Sequence, residues 1–203
     1  MFQYFIDHPV WIAVLVAVTL LTVFVCIKAA QASSKRYAAN EKTMKKIKEE
    51  NELRNEFAIL TESLASSAEP EKLFRGVALN LQKKISDAAD MTAEFDALTD
   101  EQRNIYALSF VVEDGANALS GFFKANGQPL TGASFNAVKL LFGEDICAVF
   151  EKEYKAFDSD NEDTSFFPEE ISALDIEFSK LVSADEICRV AGLFIKENIA
   201  KFI

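Results

Sequence analysis

The chain has 203 residues, enough for one folded domain of ordinary size beside a short tail and a membrane segment. Half of the residues are apolar and Phe occurs 18 times, which excludes a disordered acidic chain. The net charge of −11 is uneven, because residues 1–67 carry 8 Lys and Arg against 7 Asp and Glu, whereas residues 68–203 carry 13 against 25. An acidic surface repels nucleic acid, so we expect no direct binding of DNA or RNA.

An uncharged segment near the N terminus, residues 10–27, predicts a single membrane-spanning helix. Its sequence, VWIAVLVAVTLLTVFVCI, would form about 27 Å of helix, close to the thickness of a bilayer core. Two alternatives stay open: a core helix that is apolar on every side, and a cleavable signal peptide that ends near Ala32. The residues before the segment include Asp7 and no Lys or Arg, which disfavours the signal peptide. We expect residues 1–9 to be a short extracytoplasmic tail.

Basic residues follow this segment and predict its orientation. They are Lys28, Lys35, Arg36, Lys42, Lys45, Lys46 and Lys48. Because positive charge is retained on the cytoplasmic side, we expect a single-pass protein of the cell (inner) membrane with its C-terminal domain in the cytoplasm. The same cluster suits anionic lipid headgroups, and a purely topogenic role is the alternative.

Residues 28–67 are interpreted as a basic juxtamembrane segment and a helical stalk. From Ser34 to about Leu64 there is no Gly or Pro, which predicts one long helix. Its sparse apolar residues fall into two groups, Met44 with Ile47, and Leu53 with Phe57, Leu60 and Leu64. One interpretation is a parallel coil in a homodimer, and the other is a solvated stalk whose last turns dock on the domain.

Residues 68–203 predict an acidic domain of successive helices, so the expected fold class is all-α. Apolar stripes at helical spacing run from Glu71 to about Ala88 and between Ile171 and Leu181. Capping-box spacings predict helix starts at Thr99 and at Ser183.

The middle of this domain predicts three more helices and no strand of useful length. The Asn126-Gly127-Gln128-Pro129 turn ends a helix that carries Phe122 and Phe123. Two consecutive helices follow and meet at Gly143.

Carboxylates concentrate around the stretch 158–170, DSDNEDTSFFPEE, which has no basic residue. Four of them have the offsets of a calcium loop, but Asp163 stands where that loop needs Gly, so a solvated acidic loop is favoured. We expect no metal and no cofactor. The candidate partner-binding residues are the acidic side chains of this stretch and of the preceding helix: Glu144, Asp145, Glu151, Glu153, Asp158, Asp160, Glu162, Asp163, Glu169 and Glu170.

Catalytic motifs are missing from the sequence. The only His is His8, before the predicted membrane segment, which excludes a His-based triad or metal site in the domain. Cys26, Cys147 and Cys188 form no Cys-x-x-Cys pair and are too few for a disulfide framework, which favours a reducing compartment. We therefore expect a protein that is not an enzyme.

Several stretches together resemble the C-terminal domain of the acidic DNA-mimic protein family. They are Leu98-Thr99 with Gln102-Arg103 and Tyr106, then Glu113, Asn117 and the turn from Phe122 to Asn126, then AVKLLFGEDICAVFEKEYKAF, and LDIEFSKLVSADEICRVAGLFIKENIAKF. The resemblance covers roughly residues 95–203. It departs from the family in one place, where Asn117-Ala118-Leu119-Ser120 replaces the family's Asn-Gly-Gly-Phe run.

The resemblance implies a helical, dimeric domain whose carboxylates imitate DNA phosphates and occupy a basic DNA-binding protein. Carboxylates at i and i+4 on a helix lie about 5–6 Å apart, on the order of the phosphate spacing along a strand. Two functional hypotheses result. The first is a membrane-anchored acidic module that binds a basic protein, and the second is a structural protein that oligomerises through its stalk and helical domain, with its acidity serving solubility.

Overall fold

The computed structural model describes residues 22, 24, 28, 40–115, 118–157 and 168–203. These residues form helices and connecting turns with no β-strand among them, which confirms the all-α prediction. The chain divides into two compact units, Met1–Glu49 and Glu50–Ile203.

The described part of the first unit is helical at residues 22, 24 and 28 and from residue 40 to 49. The predicted membrane segment, residues 10–27, lies outside the described residues apart from Thr22 and Phe24. Among the helices that are described, none combines the length and the apolar character needed to cross a membrane. The membrane-spanning helix therefore stays a prediction from the sequence.

The second unit begins with the last turns of a helix, residues 50–56, here called the lead helix, and continues with nine α-helices and a closing 3-10 turn. In the described part of the chain these are α1 (Glu62–Ser67), α2 (Pro70–Ser86), α3 (Met91–Asp96), α4 (Asp100–Asp114), α5 (Leu119–Ala125), α6 (Leu130–Leu141), α7 (Glu144–Phe157), α8 (Pro168–Leu181), α9 (Ala184–Glu197) and the turn Ile199–Lys201.

Local chemistry explains several of the predicted helix starts. Pro70 occupies the first turn of α2, where a missing N–H costs nothing. Thr99 forms the complete predicted capping box with Gln102 at the start of α4. At α9 the Ser183 hydroxyl accepts from the Glu186 N–H at 3.1 Å, but the Glu186 carboxylate binds Arg189 instead of closing the box.

The stalk helix does not run to Leu64 as its composition predicted. The lead helix ends at residue 56, and Thr61 caps the separate helix α1 by accepting from the Leu64 N–H. The reason is burial, since the Phe57 side chain is only 2% exposed. The other three apolar residues of that group, Leu53, Leu60 and Leu64, also pack against the core of the second unit. The group thus has an intramolecular role that needs no second chain.

The core lies between a tight α2–α9 pair and the packed helices α4 to α8. Among its largest buried side chains are Phe74, Ile105, Leu108, Phe122, Phe150 and Ile195. Lys196 of α9 donates to the carbonyls of Ser66 and Ala68 at 3.2 and 2.6 Å and so holds the end of α1. This frame positions the α7–α8 pair, which carries all of the candidate partner-binding residues that are described.

Candidate functional site: an acidic helical hairpin with a buried carboxyl pair

Helices α7 and α8 form an antiparallel hairpin. The rings of Phe150 and Phe178 pack with centroids 6.1 Å apart, and Glu153, three residues later, meets Asp175, three residues earlier. As residue numbers increase along α7, the residues of α8 that they face decrease in number, which is the antiparallel arrangement. At 1.5 Å per residue, the first turn of α7 lies about 18 Å from its last residue, Phe157.

This arrangement separates the described candidate residues into two groups. Glu144 and Asp145 are exposed in the first turn of α7, at one end of the hairpin. Glu169 and Glu170 are exposed in the first turn of α8, at the other end. None of the four forms an ion pair with another residue in the described ranges. Asp158, Asp160, Glu162 and Asp163 lie outside the described residues, as does most of the calcium-loop pattern.

Glu151 is half-buried and already has a basic neighbour. Its carboxylate lies 2.7 Å from the Lys155 Nζ, one helical turn later. The hydrogen bond from Lys155 and the charge of Lys155 lower the pKa of the Glu151 carboxyl. Glu151 is therefore ionised and partly neutralised, which makes it a weaker contact for a partner than the four unpaired carboxylates.

Glu153 does not lie on the acidic surface, contrary to its place among the candidate residues. Its side chain is 0% exposed, and in the described structure neither carboxylate oxygen has a hydrogen-bond partner. The physical reason is helix periodicity, since Val149, Phe150, Glu153 and Phe157 share one stripe at spacings of 3 and 4. The helical spacing of these residues therefore indicated that Glu153 is buried, although the many acidic residues nearby suggested that it is exposed.

Asp175 is the acidic partner of Glu153 and was not predicted to have a role. Its two oxygens accept from the Ser120 N–H and the Ser120 hydroxyl, each at 2.8 Å, which joins α8 to α5. The Lys124 ammonium, on the same helix α5, lies 3.4 Å from the Ser120 hydroxyl oxygen. Asp175 falls on the apolar stripe of Ile171, Leu174 and Phe178, which is the sequence signal that marks it.

The surroundings of Glu153 favour its protonated form. Burial, the negative charge of Asp175 and the hydrogen bond that only a protonated Glu153 can donate to Asp175 raise the pKa of Glu153 to about 8, and the charge of Lys124 opposes the shift. A protonated Glu153 can donate its O–H to Asp175, which gives the buried carboxyl a partner. The pair then carries one negative charge in place of two.

Carboxyl groups are the titratable groups that define the described part of this site. Within the described ranges, no group of three or more His, Cys, Asp or Glu side chains is placed to hold a metal ion. Glu153 is sealed from solvent, so a substrate cannot reach its carboxyl in this conformation. The hairpin presents to solvent the unpaired carboxylates in the first turns of both helices, together with the exposed side chains of Lys152, Lys155 and Lys180. Comparison of the chain with protein-family models, curated proteins and solved structures finds no match.

Proposed function

We propose that the chain is a membrane-anchored acidic module that binds a basic protein through the exposed carboxylates of its cytoplasmic domain. The observation that carries the proposal is the charge of the second compact unit. Residues 50–203 contain 29 Asp and Glu against 14 Lys and Arg, a net charge of −15, while residues 1–49 carry 3 against 7, a net charge of +4. The net negative charge therefore belongs to the second unit, and residues 1–49, which include the predicted anchor, carry a net positive charge.

The unpaired state of the hairpin carboxylates supports the same proposal. In the first turns of α4 and α9 the acidic side chains are matched by bases: Asp100 with Arg103, Glu101 with Lys201, Asp185 with Arg75 and Glu186 with Arg189. The first turns of α7 and α8 have no such match among the described residues. Their placement stabilises each helix by about 0.3–1 kcal/mol per charge through the helix dipole, yet it leaves the charges available to Lys or Arg of a partner.

The finer part of the proposal is that the partner is a DNA-binding protein. It rests on the resemblance of residues 95–203 to acidic DNA mimics and on the carboxylate spacing expected along helices. A DNA mimic and DNA compete for one basic surface, so the two cannot bind it together. This competition separates a mimic from any other acid-rich interaction module.

Capture from a native extract tests the module. The full chain in a non-ionic detergent serves as bait, and captured proteins are eluted with a salt gradient and identified by mass spectrometry. A hairpin variant, Glu144→Gln with Asp145→Asn, Glu169→Gln and Glu170→Gln, removes four unpaired charges. A paired-acid control, Asp100→Asn with Glu101→Gln, Asp185→Asn and Glu186→Gln, also removes four carboxylate charges. These charges lie in the first turns of α4 and α9, where each one has a basic partner.

If the chain is such a module, it should capture a basic protein that elutes at moderate salt. The hairpin variant should capture less of this protein, and the paired-acid control should capture as much as the wild type. Capture of the chain by itself alone, unaffected by salt, would instead support a structural protein that oligomerises. For the mimic, the full chain must displace labelled DNA from the recovered protein. Simultaneous binding of DNA and the chain would leave the module intact and exclude mimicry.

A further inference from the structure

The buried Glu153 carboxyl lacks a donor for either oxygen. An ionised carboxylate sealed among apolar side chains is strongly unfavourable, whereas a protonated one needs only a single acceptor. Phe150 and Phe157 flank Glu153 on the same stripe of α7, and the ring of Phe123 lies 5.2 Å from Phe150 and 5.6 Å from Phe157 between centroids. The site is therefore suited to a carboxyl that holds a proton.

Three helices pack against α7, and each of them carries a charged group to be weighed against Glu153: α8, α5 and α6. From α8, Asp175 acts on it with a negative charge and can accept a hydrogen bond from Glu153 when Glu153 is protonated. From α5, the positive charge of Lys124 lowers the pKa of Glu153, but this side chain is exposed and its ammonium lies near the Ser120 hydroxyl. From α6, the one charged residue is Lys139, which lies over the Phe135 ring and acts on Glu151 instead.

Asp175 also connects the buried carboxyl to solvent. It is partly exposed and lines a surface groove together with Leu119 and Ser179. A proton can therefore leave Glu153 through Asp175 to a base in the groove. After it leaves, two carboxylates face each other across the hairpin, because both oxygens of Asp175 remain held by Ser120.

We propose that Glu153 and Asp175 form a proton-dependent latch between α7 and α8, which is closed while the pair holds one proton and opens when that proton is lost. The closed latch keeps Phe150 packed on Phe178. In the open latch, repulsion between the two carboxylates separates the middle of the hairpin and admits water to Glu153.

The sign of the pH dependence follows from the two states. In the unfolded chain Glu153 titrates at its ordinary pKa of 4.5, and in the folded chain its pKa is raised to about 8. The stabilising effect of the proton is fully present below pH 4.5 and is lost as the pH rises to about 8. Over this window the folding equilibrium constant should fall by up to tenfold per pH unit from this group alone, and level off above it.

The direct test is a carboxyl ¹³C NMR titration of the full chain labelled at Glu, between pH 4 and pH 9.5. The latch predicts that one Glu resonance titrates near pH 8 and is assigned to Glu153 by its absence in Glu153→Gln. In Asp175→Asn the same resonance should titrate at lower pH, because the negative neighbour is gone. Titration of every Glu at ordinary values would overturn the latch without any variant.

Hydrogen exchange shows whether the proton controls the hairpin itself. Above pH 8, the amides of α7 and α8 should exchange faster in the wild type than in Glu153→Gln at the same pH, while those of α2 and α9 should not differ. Glu151→Gln is the matched control on the same helix and should behave as the wild type. Equal exchange of α7 and α8 in wild type and Glu153→Gln would overturn the opening.

Discussion

Gly192 of α9 and Pro70 of α2 meet so closely that the space for a side chain between them is filled by backbone. A Cβ atom added at Gly192 would lie 1.9 Å from the Pro70 carbonyl oxygen. This oxygen belongs to the backbone of the first turn of α2 and cannot rotate away. The close approach allows α9 to pack directly against the backbone at the first turn of α2.

Gly192→Ala should therefore destabilise the protein. Ala is about 1 kcal/mol better than Gly inside a helix, but the forced shift of α9 costs more, and we expect a net loss of about 1–3 kcal/mol. Urea unfolding followed by helical circular dichroism measures it. Gly143→Ala is the control, since nothing lies within 4 Å of its added Cβ. Equal stability of the two variants would contradict the close approach.

Ser120→Ala should weaken the attachment of α8 to α5. It removes the hydroxyl hydrogen bond to Asp175 and keeps the backbone N–H bond, with an expected loss of about 1–3 kcal/mol in the free energy of unfolding. The control is Ser179→Ala on α8, where the exposed hydroxyl bonds to Ile176 of its own helix. If both serine variants unfold at the same urea concentration, the Ser120–Asp175 contact adds nothing to stability.

The two described cysteines should differ in their reactivity toward maleimide. Cys188 is 0% exposed and Cys147 is partly exposed, and burial raises the pKa of both thiols. Because the thiolate reacts, Cys147 should label slowly and Cys188 only when α9 opens. Native-state labelling followed by peptide mass spectrometry measures both rates, and labelling in urea is the control. Comparable native rates would show that α9 does not seal Cys188.

The predicted anchor should fail when charges are placed at its centre. Residues 10–27 favour insertion by roughly 4–7 kcal/mol, and each central Arg costs about 2.5–3.5 kcal/mol. Val18→Arg with Leu20→Arg should therefore release the chain from membranes on alkaline carbonate extraction. Ser33→Arg with Ser34→Arg adds the same charge outside the segment and should leave the chain in the pellet. A wild-type chain that is extracted by carbonate would contradict the anchor.

The sequence predicted the all-α class and most helices of the second unit because their apolar stripes and caps are local. The capping box at Thr99 and the break before Pro70 depend on neighbours within four residues. The prediction of one helix up to Leu64 was wrong because the end of this helix depends on contacts with residues that are distant in sequence. Phe57 is buried by these contacts, and the lead helix ends before it. The short helix α3, capped by the Asp90 side chain, has too few residues for a periodic signal and was not predicted.

The candidate site shows the same limit. Glu144, Asp145, Glu169 and Glu170 lie on the surface as the charge pattern suggested, but only the fold shows that they occupy opposite ends of a hairpin. Glu153 was grouped with them because it is acidic, although its register on α7 is that of a core residue. Its proximity to Asp175, which accepts both of its hydrogen bonds from Ser120, depends on helices that are distant in sequence.

The salt dependence of affinity tests the central proposal most directly. Fluorescence anisotropy with the purified full chain and the basic protein that it captures gives the Kd from low to physiological salt. The proposal predicts that the Kd rises by at least about tenfold over this range, and less steeply for the hairpin variant than for the paired-acid control. A Kd that is independent of salt, or equal slopes for the two variants, would contradict binding through the hairpin carboxylates.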